Sequence, residues 1–269
     1  KSVCVASGND AAVALAEKVA GVHELFVEQM NQRASELGMA DTHFVNCTGL
    51  TAEGHVTSAH DIALMSRELL LHHPDIRRFT TIWMDTIRDG AFQLANTNKL
   101  IRFYDGATGL KTGYTASAGY CISATAERDG MELIAVIMKA PDKDTRTKDA
   151  KALLNYGFST YALADALPPE PLTPVAVTMG ASDAVQPVPE AENTAVLVEK
   201  AKAGGLTRTV TLEPQVAAPV EAGQRLGELS VLDGDTVLLT VPLVAEEAVA
   251  RRSWGQVFTQ LLRMAVFAA

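Results

Sequence analysis

The chain has 269 residues, room for one large or two ordinary domains, and 48% of them are apolar, which excludes wholesale disorder. A net charge of −9 with no basic stripe excludes the usual nucleic-acid binders. Three scattered cysteines, Cys4, Cys47 and Cys121, form neither a disulfide framework nor a metal knuckle, and no continuous apolar run is long enough to span a membrane.

The chain opens without a signal peptide at Lys1-Ser2-Val3-Cys4-Val5-Ala6, a start that reads as the middle of an element. Asn9 or Asp10 can cap a helix over 11–20 that Gly21 stops. His23–Leu37 places Leu25, Phe26, Met30, Ala34 and Leu37 at helical spacing, and Gly38 is the natural residue to end it. Ser58-Ala59-His60-Asp61 resembles a capping box and precedes Ile62, Ala63, Met65, Leu69 and Leu70. Pro74 ends that helix and can start a short next one.

Strand signals follow. Ile122–Ala126 and Leu133–Met138 flank Arg128-Asp129-Gly130, and Asp-Gly between apolar runs predicts a hairpin. Gly109–Tyr114 predicts a third antiparallel strand, and Ala150–Leu167 a long helix. The proline run beginning at Pro168 marks a domain boundary, giving a first domain over 1–167 and a second over 168–250. In the second, short apolar runs at Val175–Val177, Thr194–Val198, Thr207–Leu212, Leu229–Val231 and Thr236–Val241 predict a small antiparallel sandwich. Over 251–269 the period is helical again. Trp254, Val257, Phe258, Leu261, Leu262, Ala265 and Val266 share one face, and Arg252, Gln256, Gln260 and Arg263 the other, a pattern suited to a helix lying in a membrane interface.

Two triplets can carry chemistry: Ser7-Gly8-Asn9 at a helix start and Lys111-Thr112-Gly113 on the strand before the hairpin. Each alone has a plain structural explanation, a helix cap and an edge charge. Together they are two of the three motifs of a serine acyl-transfer set whose remaining member is Ser-X-X-Lys. A serine attacking a carbonyl needs a base, a second Ser and an Asn can relay the proton and hold an amide, and a Lys beside a Thr hydroxyl suits a substrate carboxylate. Gly113 leaves the strand edge open to an extended peptide. The four histidines His55, His60, His72 and His73 fit no compact metal site, and Cys121 has no base beside it in sequence.

Longer stretches carry a resemblance. Ala6 to Ala12, Leu37-Gly38-Met39 with Thr42-His43-Phe44 and Gly49-Leu50, Ser58 to Asp61, Asn96 to Leu100, and Gly106 to Thr115 with Ala118-Gly119-Tyr120 resemble the low-molecular-weight penicillin-binding proteins, the serine-type D-alanyl-D-alanine carboxypeptidases. The strand-rich part and the terminal helix resemble that family's second domain and membrane anchor. The resemblance implies an α/β fold: a β-lactamase/transpeptidase-like domain, N-terminally incomplete here, then a small β-sandwich and an amphipathic helix. It implies removal of the terminal D-Ala of the peptidoglycan pentapeptide through an acyl-enzyme, binding of β-lactams, no metal or organic cofactor, and a role in the cell wall and cell shape. It also implies an extracytoplasmic place on the outer face of the bacterial cytoplasmic membrane, reached through the terminal helix.

By the same resemblance Ser7 relays protons, Asn9 holds the substrate backbone, and Lys111 sets the positive potential. Thr112 binds the terminal carboxylate, the Tyr114 N–H forms half of an oxyanion hole, and Arg146 lies near the carboxylate. These roles require Ser7 and Lys111 to face one cleft within hydrogen-bond reach. No serine of the chain has Lys three residues later, so the nucleophile is expected on a segment upstream of Ser7, together with the first sheet strands. Two rivals remain at this level: a serine β-lactamase, which the absence of Glu-X-X-X-Asn between the two triplets opposes, and an inactive truncated chain that binds cell-wall peptide.

Overall fold

The structure, a computed structural model that describes residues 1–191 and 194–259, opens with helix α1 (Ser2–Ala6). Five residues are too few for a helix to hold itself, and α1 is anchored by the fully buried Val5. Ser7 then takes a left-handed conformation (φ 59°), and the extended Gly8 begins α2 (Asn9–Ala20). A Cβ on Gly8 would meet Ser2 Oγ, a contact that a turn of the Ser2 hydroxyl relieves. Neither Asn9 nor Asp10 is the cap; both lie inside α2, and Asp10 accepts the Ala11 N–H at 2.8 Å.

Helix α3 (His23–Glu36) ends at Gly38 in the left-handed region, with Gly38 N–H on Ser35 O (3.1 Å) and Met39 N–H on Ala34 O (2.9 Å). In α4 (Ala59–His72) the Ser58 hydroxyl accepts the Asp61 N–H, half of a capping box. The other half is absent, because the Asp61 carboxylate turns away to accept Asp41 N–H (2.9 Å) and Thr42 Oγ1–H (2.7 Å). Pro74–Ile76 forms a 3-10 turn leading into α5 (Arg77–Thr80).

An antiparallel hairpin follows, β1 (Met84–Ile87) and β2 (Phe92–Ala95), which the sequence pattern does not predict. Its signal is Asp89-Gly90: Arg88, Asp89 and Gly90 all have positive φ. After α6 (Leu100–Phe103) come β3 (Ala107–Thr115), β4 (Gly119–Arg128) and β5 (Met131–Ala140), an antiparallel sheet in the order β3-β4-β5. Asp129 and Gly130 join β4 to β5, both with positive φ, as a two-residue turn of this composition demands. The buried Ser66 and Ser123 hydroxyls, 2.7 Å apart, tie α4 to β4.

Helix α7 (Lys143–Thr160) corrects the expected helix over 150–167 at both ends. It starts early because the Asp142 carboxylate accepts the Asp144 and Thr145 N–H groups, at 2.9 and 2.7 Å. It stops early because Tyr161–Asp165 is strand β6.

The chain divides into two compact units, Lys1–Ser159 and Thr160–Ala269. The second contains β6, β7 (Val175–Thr178), β8 (Ala184–Val185), β9 (Pro187–Pro189), β10 (Ala195–Glu199), the short α8 (Lys200–Ala203), β11 (Thr207–Leu212), β12 (Gln215–Ala217), β13 (Arg225–Asp233) and β14 (Thr236–Ala245). Its sheets are ordered β11-β13-β14-β9, β12-β7-β8 and β10-β6; all pairs are antiparallel except β12 with β7. A register shift between Arg225 and Gly227 turns Leu226 inward beside Val175, Val177, Val185 and Val220, while Leu229 and Val231 join Val241 and Leu243 in an adjoining cluster. Residues 254–259 are helical; Gln260, Leu261, Leu262, Arg263, Ala265 and Val266 of the expected helix lie outside the described residues.

Asp61 is 1% exposed, and its pKa lies below the ordinary carboxylate value, first through the Thr42 hydroxyl and also through the Asp41 N–H. A depressed folded-state pKa adds stability that is complete above the unfolded value, about 3.9, and lost as pH falls through the folded value. Asp61→Asn should therefore lower the urea midpoint at about pH 6, with a gap that shrinks toward about pH 2.5. A gap independent of pH would contradict this placement of the carboxylate.

Candidate active site

The turn between α1 and α2 and the middle of β3 form one site. Ser7, held left-handed, presents its hydroxyl to the Lys111 ammonium, which donates to Ser7 Oγ at 2.7 Å. The same ammonium donates to the Thr112 carbonyl at 2.6 Å. Burial lowers the Lys111 pKa; nearby Cys4 opposes the shift and Arg146 adds to it. Asn9 opens α2 two residues beyond Ser7, is exposed, and its side chain has no hydrogen-bond partner among the described residues.

On β3 the triplet alternates. Thr112 is buried and donates its hydroxyl to Thr97 Oγ1 at 2.8 Å. Gly113 is exposed, and a Cβ there would meet only open space, so the strand is unobstructed at this point. Tyr114 is exposed, and its ring lies 4.3 Å from that of Tyr120 across the β3–β4 pair. Arg146, in the first turns of α7, is only 5% exposed and reaches the Cys121 carbonyl on β4 at 3.4 Å. Its buried Nε has no hydrogen-bond partner among the described residues. Burial also lowers the Arg146 pKa, against the opposing pull of Cys121 and Tyr120.

Neither Lys111 nor Arg146 has a carboxylate partner among the described residues; the ion pairs there involve other cations. Burial thus desolvates both cations, and among the described residues no carboxylate pairs with either. Ser7 and Lys111 are in direct contact, and Arg146 is near enough to Lys111 to shift its pKa.

The scaffold behind β3 is a pair of buried asparagines. Asn98 Nδ2 donates to the Gly109 carbonyl at 2.8 Å, and its Oδ1 accepts the Leu100 N–H at 3.0 Å. Asn96 Oδ1 accepts the Asn98 N–H at 2.9 Å, and its Nδ2 donates to the Thr80 and Ile82 carbonyls at 3.2 and 2.8 Å. Thr97, between them, donates its N–H to Val5 O at 3.1 Å. Sequence reasoning gives Thr97 no role, although the Asn-X-Asn spacing marks two side chains turned to the same side. Likewise unread from sequence is the 3.4 Å contact between Thr51 Oγ1 and Ser117 Oγ, which joins the loop after α3 to the β3–β4 turn.

The histidines are dispersed. The exposed His60 lies 3.4 Å from the buried Asp61, His72 pairs with Glu68, and His55 packs edge-on against Phe44. Cys121 is half-buried, with its thiol on the Ala118 carbonyl at 3.4 Å.

Comparison with known proteins bears on the family of the chain. Residues 1–142 match the family described as D-alanyl-D-alanine carboxypeptidase, and residues 170–251 match the penicillin-binding protein 5 C-terminal domain. The D-alanyl-D-alanine carboxypeptidase DacF of Bacillus subtilis is 37% identical over 252 residues, which are 92% of this chain and 64% of that relative. The chain therefore spans somewhat less than two thirds of that relative's length. Among solved structures, penicillin binding protein 6B from Escherichia coli is 32% identical with a TM-score of 0.67, covering 90% of this chain and 67% of that one. Penicillin-Binding Protein D2 from Listeria monocytogenes, solved in a cefotaxime-bound form, is 37% identical with a TM-score of 0.55, covering 58% of this chain and 64% of that one. With the family match extending over more than half of its length, the chain belongs to the D-alanyl-D-alanine carboxypeptidase family.

Proposed function

We propose that this chain carries the substrate-binding and proton-relay part of a serine-type D-alanyl-D-alanine carboxypeptidase, which removes the terminal D-Ala of the peptidoglycan pentapeptide and is acylated by β-lactams. The observation that carries the reading is the unpaired pair of cations, Lys111 and Arg146, beside a serine already bound to the lysine. A peptide ending in D-Ala-D-Ala brings the missing anion, its terminal carboxylate. Thr112 and the two cations receive that carboxylate, and the peptide lies along β3 where Gly113 leaves room. The Tyr114 N–H then lies at the scissile carbonyl as half of an oxyanion hole. Asn9 holds the peptide backbone, and Ser7, polarised by Lys111, passes a proton to the departing D-Ala amine.

The attacking serine is assigned to a Ser-X-X-Lys motif outside residues 1–269, since none occurs within them. The reading is supported by the DacF relative's name and by the cefotaxime-bound D2 neighbour. Fluorescent penicillin incubated with the full protein, followed by peptide mapping, tests it. The expected label is on a serine outside residues 1–269, and Lys111→Ala should slow labelling about 10- to 100-fold, the size of a lost charged hydrogen bond. A label on any serine from Ser2 to Ser253, or labelling indifferent to Lys111→Ala, would overturn the assignment.

The place of action proposed is the outer face of the cytoplasmic membrane, in cell-wall and cell-shape maintenance, with residues 251–269 lying in the bilayer interface. The support is Trp254 and Phe258, 89% and 65% exposed on the helical residues 254–259. No helix among the described residues is long and apolar enough to cross a membrane. Co-sedimentation with anionic phospholipid vesicles should fall when the chain ends at Ala250; equal binding with and without 251–269 removes the idea.

A further inference from the structure

The carboxylate contact proposed for Thr112 raises a question of proton direction. The Thr112 hydroxyl has a single proton, and in this structure it is donated to Thr97 Oγ1. A carboxylate only accepts, so Thr112 can serve it only by turning that proton away from Thr97. Thr97 is a hydroxyl too, with a proton of its own, and can then donate back to the oxygen of Thr112. Donating back requires the Thr97 hydroxyl to turn, because the pair as it stands meets hydrogen-bond geometry with Thr112 as the donor. A side chain that only accepts, or only donates, could not hold Thr112 in both states.

Three observations fix Thr97 for this task. It lies between Asn96 and Asn98, whose buried side chains are bonded to the 80–82 segment and to β3. Its N–H is held by Val5 O in α1, the helix that ends at Ser7. Its own side chain is exposed, so it is not there to fill the core.

Resting on the carboxypeptidase reading, we infer that Thr97 is the positioning residue for the carboxylate-binding hydroxyl of Thr112, acting as a hydrogen-bond partner that switches from acceptor to donor when the substrate arrives. The test uses the full protein and an N-acylated tripeptide ending in D-Ala-D-Ala. Thr97→Val keeps the branched shape and removes the hydroxyl; Thr97→Ser keeps the hydroxyl. Thr97→Val should raise KM about three- to tenfold, the span of one neutral hydrogen bond, with kcat within about twofold of the parent. Thr97→Ser should restore KM, and the thermal midpoints of the three proteins should agree within about 2 °C.

An unchanged KM in Thr97→Val overturns the inference. So does a loss confined to kcat, equal impairment of both variants, or a KM rise that follows a fall in the thermal midpoint. A parent protein that neither binds nor hydrolyses the peptide overturns the functional reading, and this inference with it.

Discussion

The first unit is organised around a half-buried ammonium group whose hydrogen-bond partners among the described residues are neutral. Lys111 Nζ is satisfied by Ser7 Oγ and the Thr112 carbonyl, contacts that orient the charge without neutralising it. Arg146, buried close by, leaves the local field more positive still. Desolvated charge of one sign is costly, and folding alone would favour a carboxylate beside it. Among the described residues neither Lys111 nor Arg146 has one. The same exclusion of water strengthens every polar contact made there.

The surrounding structure holds that cation and its serine in register. Ser7 is fixed by a left-handed turn that costs of order 1 kcal/mol for a residue with a Cβ. The turn is held by the burial of Val5 in α1 and by the Gly8 N–H, which donates to Ser2 O at 3.2 Å. β3 is held from one edge by β4 and from behind by Asn98, which bonds to the Gly109 carbonyl two residues before Lys111. Arg146 is delivered by Asp142, whose carboxylate starts α7 one turn ahead of it. Fixed donors of this kind need no reorganisation when charge develops on a substrate, which is where electrostatic catalysis gains most.

Local rules made much of this legible. Gly38, Ser58 and Asp129-Gly130 mark their boundaries because the backbone conformations they occupy exclude most other residues. Lys111-Thr112-Gly113 and Ser7 could be assigned to one site because their chemistry is complementary, although 104 positions separate Ser7 from Lys111. What was not legible depends on contacts made elsewhere. Tyr161–Asp165 has the composition of a helix end and becomes a strand because it pairs with β10, which lies beyond the proline run. Asn9 has the composition of a cap, but the extended Gly8 takes that position and Asn9 lies inside the helix. Thr97 carries no signal of its own; its role follows from two flanking asparagines whose partners are distant in sequence.

The unpaired cations make a direct demand on binding. Titration calorimetry of the full protein with an N-acylated peptide ending in D-Ala-D-Ala, and with the same peptide ending in a carboxamide, compares a ligand that brings an anion with one that does not. The carboxylate form should bind at least about tenfold more tightly, and Lys111→Met should sharply reduce that preference by removing one of the two charges that create it. Equal affinity for acid and amide, or a preference undiminished in Lys111→Met, would contradict the reading of Lys111 as the centre of a carboxylate site.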